Sequence, residues 1–195
     1  AWQTTEKGTN APINAVADVQ IGQSKVNVTS PADLMEKIAA SPDARLILPA
    51  ALIDHAVSMG LEDSRLVSTW GSDTVRAGNM LIHTIPSAHP TFEYTDEKGY
   101  PFLGYVIEVD GLTLYHSGDT IPYPGMETAM RRFRPDLAVL PINGRAPERK
   151  VSGNLWGREA AALAHAIGAR LVIPCHYDLF TFNTATTEEF EAACQ

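Results

Sequence analysis

Three residues of types that bind divalent metal ions each follow a short apolar stretch of this sequence: His89, Asp119 and His176. Such apolar stretches are typical of buried strands, and side chains just beyond strand ends lie on loops held by a rigid sheet. Two imidazoles and a carboxylate suit Zn²⁺, Mn²⁺ or Fe²⁺. A single histidine after a strand is more often a surface or hydrogen-bonded residue, and Asp119 equally suits the cap of a turn. The residues alone therefore leave both interpretations open.

Further polar residues stand close to these three in the sequence. His116 ends an apolar stretch just before the acid, where it either supports a metal ligand or packs as a buried, hydrogen-bonded histidine. Tyr177 is placed to donate a hydrogen bond to a substrate oxygen, with a partly buried tyrosine as the alternative. Arg145 forms a basic cluster with Arg149 and Lys150, which either binds an anionic substrate or lies in solvent.

The composition is that of a globular protein. The 195 residues are 45% hydrophobic and 19% charged, which suits a single domain over residues 1–195 with its own core, preceded over residues 1–19 by a loose arm. The net charge of −8 argues against nucleic acid as a partner. No apolar run approaches the roughly 20 residues needed to span a membrane, so we expect no membrane partner and a cytoplasmic location.

The cysteines and the absence of several motifs narrow the chemistry further. Cys175 and Cys194 are too few for a disulfide framework or a four-thiolate zinc site. Cys175 is more typical of a small core residue than of a nucleophile. The sequence contains no P-loop, no dinucleotide-binding glycine motif and no G-x-S-x-G elbow, which excludes the enzyme classes that depend on them.

The elements that must position these side chains alternate between helix and strand. Strands are predicted at 45–48, 66–69, 137–140 and 171–173, and hairpins at 74–86 and 102–116 with turns at Gly78-Asn79 and Asp110-Gly111. Helices are predicted at 30–40, 50–59, 126–133 and 158–167, and Thr186 with Glu189 predicts the capping box of a last short helix. Hairpins first and a β-α-β unit late predict a mixed α/β fold.

Two motifs resemble those of a known superfamily. The sequences Tyr-His-Ser-Gly-Asp-Thr at 115–120 and Ile-Pro-Cys-His-Tyr-Asp at 173–178, with supporting matches at 88–89, 140–145 and 180–183, are similar to the metallo-β-lactamase superfamily. The branch they resemble most is that of the ascorbate-6-phosphate-lactonase-like metal-dependent hydrolases. The resemblance covers about residues 19–193 and implies an αββα sandwich with a metal centre at one edge of its two sheets.

The resemblance also implies roles for individual residues. His89 matches a ligand of the first metal, Asp119 the carboxylate that bridges both metals, and His176 a ligand of the second. Members of the superfamily hydrolyse esters, lactones, phosphodiesters or amides with a metal-bound hydroxide. The implied function is therefore hydrolysis of a small ester, lactone or phosphoester, with Asp119 and His176 catalytic and one divalent ion, Zn or Mn, in a reduced site.

One part of the family pattern is replaced. The family signature H-x-H-x-D-H aligns with residues 23–28, where the ligand positions are occupied by Gln23, Lys25, Asn27 and Val28. Glutamine and asparagine bind transition metals weakly, and valine cannot bind them. The Lys25 ammonium either replaces a lost cation by pairing with Asp119 or points to solvent. The alternative hypothesis is a non-catalytic, degenerate protein of this fold without a functional metal centre.

The region before the replaced signature is also short. Only residues 1–20 precede it, where family members have several strands, so we expect a fold lacking N-terminal strands. An uncovered sheet edge invites pairing with another chain, which favours a homodimer or higher homo-oligomer. The other expected partner is a small-molecule substrate of anionic character, because of the basic cluster around Arg145.

Overall fold

The computed structural model describes residues 43–178 and 182–195, together with Glu36, Ile38, Ala40, Ser41 and the backbone of four short strands near the start of the chain. Strand β1 (Thr4–Thr5) pairs antiparallel with β2 (Pro12–Ile13), and β3 (Val19–Ile21) pairs antiparallel with β4 (Ser24–Val26). The first pair and Val19 of β3 lie within the arm predicted as loose, and the other residues of that arm lie outside the described residues. The single domain stays a prediction.

The later strands form one large sheet and one small parallel pair. The small pair consists of β5 (Leu46–Pro49) and β6 (Leu66–Thr69). The large sheet has the order β12-β11-β10-β9-β8-β7 and contains β7 (Thr74–Ala77), β8 (Met80–Pro86), β9 (Leu103–Val109), β10 (Leu112–His116), β11 (Leu137–Pro141) and β12 (Leu171–Cys175). The predicted hairpins and strands are confirmed to within a few residues at their ends.

The direction of the strands decides where the functional loops lie. Strands β10, β11 and β12 are parallel neighbours, while β8, β9 and β10 are joined as antiparallel hairpins. Strand β8 therefore runs in the same direction as β10. The carboxyl ends of β8, β10, β11 and β12 all lie at one edge of the sheet, which is the edge where the loops bearing the candidate ligands emerge.

The two predicted hairpin turns show why their residues occur there. Asp110 and Gly111 have φ of 49° and 80°, the left-handed geometry that a type I′ turn requires at both central positions. Gly78 of the other turn has φ of 62°. The Nδ2 of Asn79 donates a hydrogen bond to Oδ1 of Asp110 over 2.9 Å and ties the two turns together. Both turns lie at the edge of the sheet opposite the candidate ligands.

The helices in the described part of the chain pack against both groups of strands. They are α1 (Ile53–Ser58), α2 (Met126–Arg131), α3 (Gly157–Ala166) and α4 (Glu188–Ala193), and Glu36, Ile38 and Ala40 have the helical backbone predicted for 30–40, whose other residues lie outside the described ranges. The predicted capping box of α4 is wrong. Thr187 precedes the helix without a side-chain cap, and Glu189 binds Arg158 instead. No helix in the described part is long and apolar enough to cross a membrane.

The main core lies between the central strands and these helices. Val106, Tyr115, Ala138 and Leu140 alternate along β9, β10 and β11 and are fully buried, as is Met130 of α2. Alternation places them on one face of the sheet, which the helices remove from water. A smaller cluster joins Leu48, Ala56 and Leu61 around β5 and α1. The Tyr105 hydroxyl donates a hydrogen bond to the Ile47 carbonyl over 3.1 Å and links this smaller unit to the large sheet.

Candidate functional site

Hydrogen bonds clamp the loop after β8 to the loop after β10. The Ser87 hydroxyl donates to the Ser117 carbonyl over 2.6 Å, and the backbone N–H of Ala88 donates to Oγ1 of Thr120 over 3.1 Å. The backbone N–H of Ile121 donates a hydrogen bond to the Ala88 carbonyl over 2.8 Å. These short polar side chains are buried and satisfied, so the loop bearing His89 is fixed relative to the loop bearing Asp119.

Two glycines allow this close approach of backbones. A Cβ on Gly118, whose φ is 64°, would lie 2.7 Å from the Leu103 carbonyl oxygen. A Cβ on Gly104 of β9 would lie 2.7 Å from the Ser117 carbonyl oxygen. Both contacts involve backbone atoms, which cannot move aside, so only glycine fits at either position.

The three predicted ligands meet around one carboxylate. The Nε2 of His176 lies 3.4 Å from Oδ2 of Asp119, and the Nε2 of His89 lies 4.0 Å from the same oxygen. The imidazoles of His176 and His89 are 11% and 20% exposed and the carboxylate of Asp119 is 35% exposed, so the group is largely buried but still in contact with solvent. The side chains converge although they are far apart in the sequence.

The environment of Asp119 favours its ionised form. Burial raises the pKa of this carboxyl, but the hydrogen bond from His176 and the charges of His176 and His89 outweigh it, so that the pKa lies below its usual value. Asp119 is therefore a carboxylate at neutral pH. An ionised acid flanked by two imidazoles is a donor set that attracts a cation.

The Nδ1 atoms of His89 and His176 differ in their surroundings. Nδ1 of His89 lies 3.2 Å from the Gly153 carbonyl oxygen, so it donates a proton there and leaves Nε2 as the free lone pair. Nδ1 of His176 is buried and has no hydrogen-bond partner among the described residues. His176 also has φ of 61°, a left-handed conformation that is strained for a histidine and directs its ring back toward Asp119.

His116 supports the turn that carries the acid. Its Nδ1 accepts a hydrogen bond from the N–H of Gly118 over 3.0 Å, so that nitrogen is committed to the loop. Burial lowers the pKa of His116, and the nearby charge of Asp119 opposes this only in part. His116 is therefore a neutral imidazole that shapes the Asp119 loop.

The structure gives the predicted substrate-binding residues other neighbours. The guanidinium of Arg145 binds Glu159 through two hydrogen bonds of 2.6 and 2.7 Å and also donates to the Asn154 carbonyl over 3.1 Å. This arginine is thus engaged in holding its own loop. Tyr177 is partly buried and packs against the main core. Binding of substrate by Arg145 and Tyr177 stays a prediction.

The replaced signature positions fall at the start of the chain, where little is described. The backbone of Lys25 lies in β4 opposite Gln20. Gln23, Asn27 and Val28 lie outside the described residues. The predicted pairing of Lys25 with Asp119 concerns a side chain that is also outside them and stays a prediction.

A polar network behind His89 was not anticipated from the sequence. Buried amides of Asn143, Asn154 and Asn183 bind one another over 2.9 and 3.0 Å, and Arg149 donates to the Asn143 carbonyl. The carboxylate of Glu159 accepts a further hydrogen bond from the backbone N–H of Trp156 over 2.9 Å. The network fixes the segment 143–156 that supplies the Gly153 carbonyl. An acid three residues into a helix was the one local signal for it.

The donor set fits a divalent cation by chemistry and in part by distance. Ligands about 2.1 Å from a tetrahedral ion lie about 3.4 Å from each other, which is the separation of His176 and Asp119. The separation of His89 and Asp119 is larger, at 4.0 Å. As they are placed in the described part of the chain, no three or more His, Cys, Asp or Glu side chains form a group that could hold a metal ion. A complete shell therefore requires a small inward adjustment of His89 or a further donor.

Comparison with curated proteins gives several relatives named metal-dependent hydrolases. The one from Rubrobacter xylanophilus is 31% identical over 160 residues, covering 79% of this chain and 62% of that protein. The one from Myxococcus xanthus is 31% identical over 137 residues, covering 67% and 46%. The one from Methanoculleus marisnigri is 40% identical over 121 residues, covering 60% and 51%. The chain spans about half the length of the curated relatives it matches.

Solved structures show the same fold. A metallo hydrolase from Ignicoccus hospitalis superimposes with a TM-score of 0.65 at 22% identity, covering 83% of this chain and 65% of that one. A metallo-β-lactamase fold protein from Bacillus subtilis superimposes with a TM-score of 0.59 at 14% identity, covering 83% and 62%. The predicted fold class, α/β of the metallo-β-lactamase type, is confirmed.

A family profile connects these relatives with the loops described above. The profile described as the beta-lactamase superfamily domain matches residues 13–177, a span that includes His89, Asp119 and His176. The match covers most of the chain, and the resemblance seen in the two sequence motifs is confirmed. The chain belongs to the beta-lactamase superfamily.

Proposed function

We propose that this protein is a metal-dependent hydrolase that cleaves a small ester, lactone or phosphoester with one divalent ion, Zn or Mn, held by His89, Asp119 and His176. The observation that carries the proposal is the convergence of two imidazole Nε2 atoms on one carboxylate oxygen, at 3.4 and 4.0 Å. The relatives named metal-dependent hydrolases support the same class of chemistry.

The roles of the protein groups follow from their contacts. Asp119 supplies the negative charge that attracts the cation, and its depressed pKa keeps it available at neutral pH. The Gly153 carbonyl holds the proton of His89 on Nδ1, so Nε2 is free to bind. His176 is positioned by its strained backbone at the end of β12. A bound divalent ion supplies an activated water nucleophile and polarises the scissile bond.

A covalent cysteine mechanism is not supported by the surroundings of Cys175. Burial, reinforced by the charge of Asp119, raises the pKa of its thiol to about 12. The thiolate is the nucleophilic form of cysteine, and it is scarce at neutral pH with such a pKa. Water activated at the candidate site is therefore the nucleophile we propose.

The second candidate function is that of a non-catalytic relative without a metal centre. The replaced signature favours it, because Gln23, Lys25, Asn27 and Val28 take the positions of four family ligands. A site with three protein ligands retains the number found in many catalytic zinc sites, which is why we rank the hydrolase first.

Metal analysis separates the two candidates. The chain is loaded with Zn²⁺ or Mn²⁺, dialysed exhaustively and analysed for bound metal, alongside His176→Ala and the control His165→Ala, whose histidine is exposed on α3. The hydrolase predicts close to one ion per chain in the wild type and the control and at least a tenfold loss of affinity in His176→Ala. Absence of metal from the wild type favours the non-catalytic candidate.

A hydrolysis assay tests the activity itself. Generic lactone, ester and phosphodiester substrates are supplied with added Mn²⁺ or Zn²⁺, and Asp119→Asn is compared with Asp63→Asn, an exposed acid just before β6. Activity that survives in Asp119→Asn contradicts the proposed site. The predicted homo-oligomer, the cytoplasmic location and the small-molecule partner stay predictions.

A further inference from the structure

A cluster of aromatic rings stands at the surface beside the candidate site. Phe92, Tyr94 and Tyr100 come from the loop that follows His89, and Tyr123 comes from the segment that follows β10. Phe92 and Tyr94 are 41% and 52% exposed. None of these rings takes part in the arrangement around the carboxylate. Large aromatic surfaces left in contact with water mark a binding surface more often than single exposed apolar residues do.

The four rings form a continuous chain of contacts, from Tyr123 through Phe92 and Tyr100 to Tyr94. Phe92 stacks on Tyr123 with centroids 4.2 Å apart and planes inclined by 13°. The ring centroid of Tyr100 lies 5.0 Å from that of Phe92 and 5.0 Å from that of Tyr94, and the ring planes are tilted in both pairs. The result is a continuous aromatic surface of four rings, which we call the aromatic cluster, with Tyr94 at its most exposed end.

The aromatic cluster is close to the candidate ligands because it is carried by the same two loops. Phe92 is three residues beyond His89, a distance that the chain spans with at most about 11 Å. The hydroxyl of Tyr123 donates a hydrogen bond to the Pro86 carbonyl over 2.5 Å, just before the His89 loop. The aromatic cluster therefore begins within about 11 Å of His89, which is comparable to the length of a small organic substrate.

The loop that bears the rings has a defined shape. Thr95 and Gly99 exchange backbone hydrogen bonds of 3.2 and 2.7 Å, and the N–H of Tyr100 donates to the Trp70 carbonyl over 3.1 Å. A Cβ on Gly99 would lie 2.6 Å from the Cα of Trp70, so the loop is packed against its neighbour. The exposed rings are therefore held in place before any ligand arrives, which lowers the entropy lost on binding.

The charges around the aromatic cluster are negative. Glu93, Asp96 and Glu97 alternate with the rings along the loop and are exposed. The lysine of this loop, Lys98, faces Asp54 with Nζ 3.6 Å from Oδ2. The cation–π contacts found among the described residues involve the rings of Phe133 and Trp156, outside this cluster. Aromatic faces and carboxylates both attract positive charge.

We propose that the aromatic cluster is a substrate subsite that binds a positively charged organic group, such as an alkylammonium or arylammonium. This inference rests on the proposed function, because it names the class of substrate that the same site takes. It is an alternative to the anionic substrate that the basic cluster around Arg145 predicts. The guanidinium of Arg145 is bound by Glu159, whereas Glu93, Asp96 and Glu97 form no ion pair with another residue in the described part of the chain.

Binding of two probes of similar shape and opposite charge tests the proposal. Benzyltrimethylammonium and benzylphosphonate are titrated into the metal-free full chain, and the dissociation constants are measured by NMR or intrinsic fluorescence. We expect the cation to bind at least tenfold more tightly than the anion. Metal-free protein is used because benzylphosphonate would otherwise bind the metal directly.

Variants locate the binding. Tyr94→Ala is expected to weaken binding of the cation about two- to fivefold, as the loss of one exposed cation–π contact does, and Tyr94→Phe is expected to retain it. The double variant Glu93→Gln, Glu97→Gln is expected to bind the cation more weakly and the anion more tightly. The control Leu112→Ala removes an exposed apolar side chain at the opposite edge of the sheet and is expected to change neither.

Each outcome decides the proposal. Equal affinity for the two probes, or unchanged binding in Tyr94→Ala, overturns it. Sedimentation of the same samples is included, because a wild type that dimerises and a Tyr94→Ala variant that is monomeric would assign the aromatic cluster to self-association and also overturn it. If the chain binds the cation but binds neither Zn²⁺ nor Mn²⁺, the proposed function is wrong and the cation subsite is retained.

Discussion

His89 and Gly153 are joined by a hydrogen bond from the imidazole Nδ1 to the backbone carbonyl, 3.2 Å long. The bond fixes which ring nitrogen carries the proton, and so leaves Nε2 turned toward Asp119. The carbonyl is in turn held in place by the loop 143–156, in which Arg145 donates a hydrogen bond to the Asn154 carbonyl and the side chains of Asn154 and Asn143 bind each other. The orientation of one candidate ligand therefore depends on residues that do not touch the site.

The ion pair between Arg145 and Glu159 is expected to stabilise the fold. Glu159→Gln removes a bidentate pair that is partly shielded from water, and we expect a loss of about 1 kcal/mol in the free energy of unfolding. The matched control is Glu127→Gln, which breaks the exposed pair with Arg131 and is expected to cost about 0.3–0.5 kcal/mol. Urea denaturation measures both. Equal losses would contradict the structural role given to Glu159.

The same pair predicts a dependence of stability on pH. Burial raises the pKa of Glu159, but hydrogen bonds from Arg145 and the Trp156 N–H outweigh it, so the folded-state pKa lies below the usual value. The contribution is complete above the unfolded pKa of about 4.3 and is lost as the pH falls through the lower folded value. Unfolding free energies measured from pH 6 to 3 should fall less steeply in Glu159→Gln. Identical slopes would exclude this source of acid sensitivity.

Two glycines with nearly the same backbone angle separate steric from conformational effects. Gly118 and Gly78 have φ of 64° and 62°, but a Cβ meets the Leu103 carbonyl at 2.7 Å in the first case and nothing within 4 Å in the second. Gly78→Ala is expected to lose about 1 kcal/mol through the left-handed conformation alone. Gly118→Ala is expected to lose about 1–3 kcal/mol more through the clash. Thermal or urea unfolding shows whether the two differ.

The two cysteines should differ in reactivity. Burial raises the pKa of the Cys175 thiol to about 12, whereas Cys194 is exposed at the end of α4. A thiol reagent at pH 8 is expected to label one group per folded chain and two in denaturant, with the fast group absent from Cys194→Ser. Rapid labelling of Cys175 in the folded protein would reopen the question of a thiol nucleophile.

Local sequence was a sound guide to the strands, to the hairpin turns and to the positions of the helices. The hairpin turns were predictable because Asp110-Gly111 and Gly78-Asn79 suit left-handed backbone whatever surrounds them. The capping box at Thr186 was predicted wrongly because Glu189 has a stronger partner, Arg158, on a helix that is distant in the sequence. A charged partner that tertiary packing brings close competes for the carboxylate with the nearby backbone N–H. That partner cannot be identified from the local sequence.

The sequence by itself identified His89, Asp119 and His176 as candidate ligands and predicted that each follows a strand, while the replacement of four family ligands at 23–28 stays a prediction. Only the tertiary structure decided that the carboxyl ends of β8, β10 and β12 share one edge, because strand order and direction depend on pairings between distant segments. It also decided that Arg145 is bound by Glu159 and that the rings of Phe92, Tyr94, Tyr100 and Tyr123 contact one another. The neighbours of a charged side chain are set by packing rather than by its position in the chain.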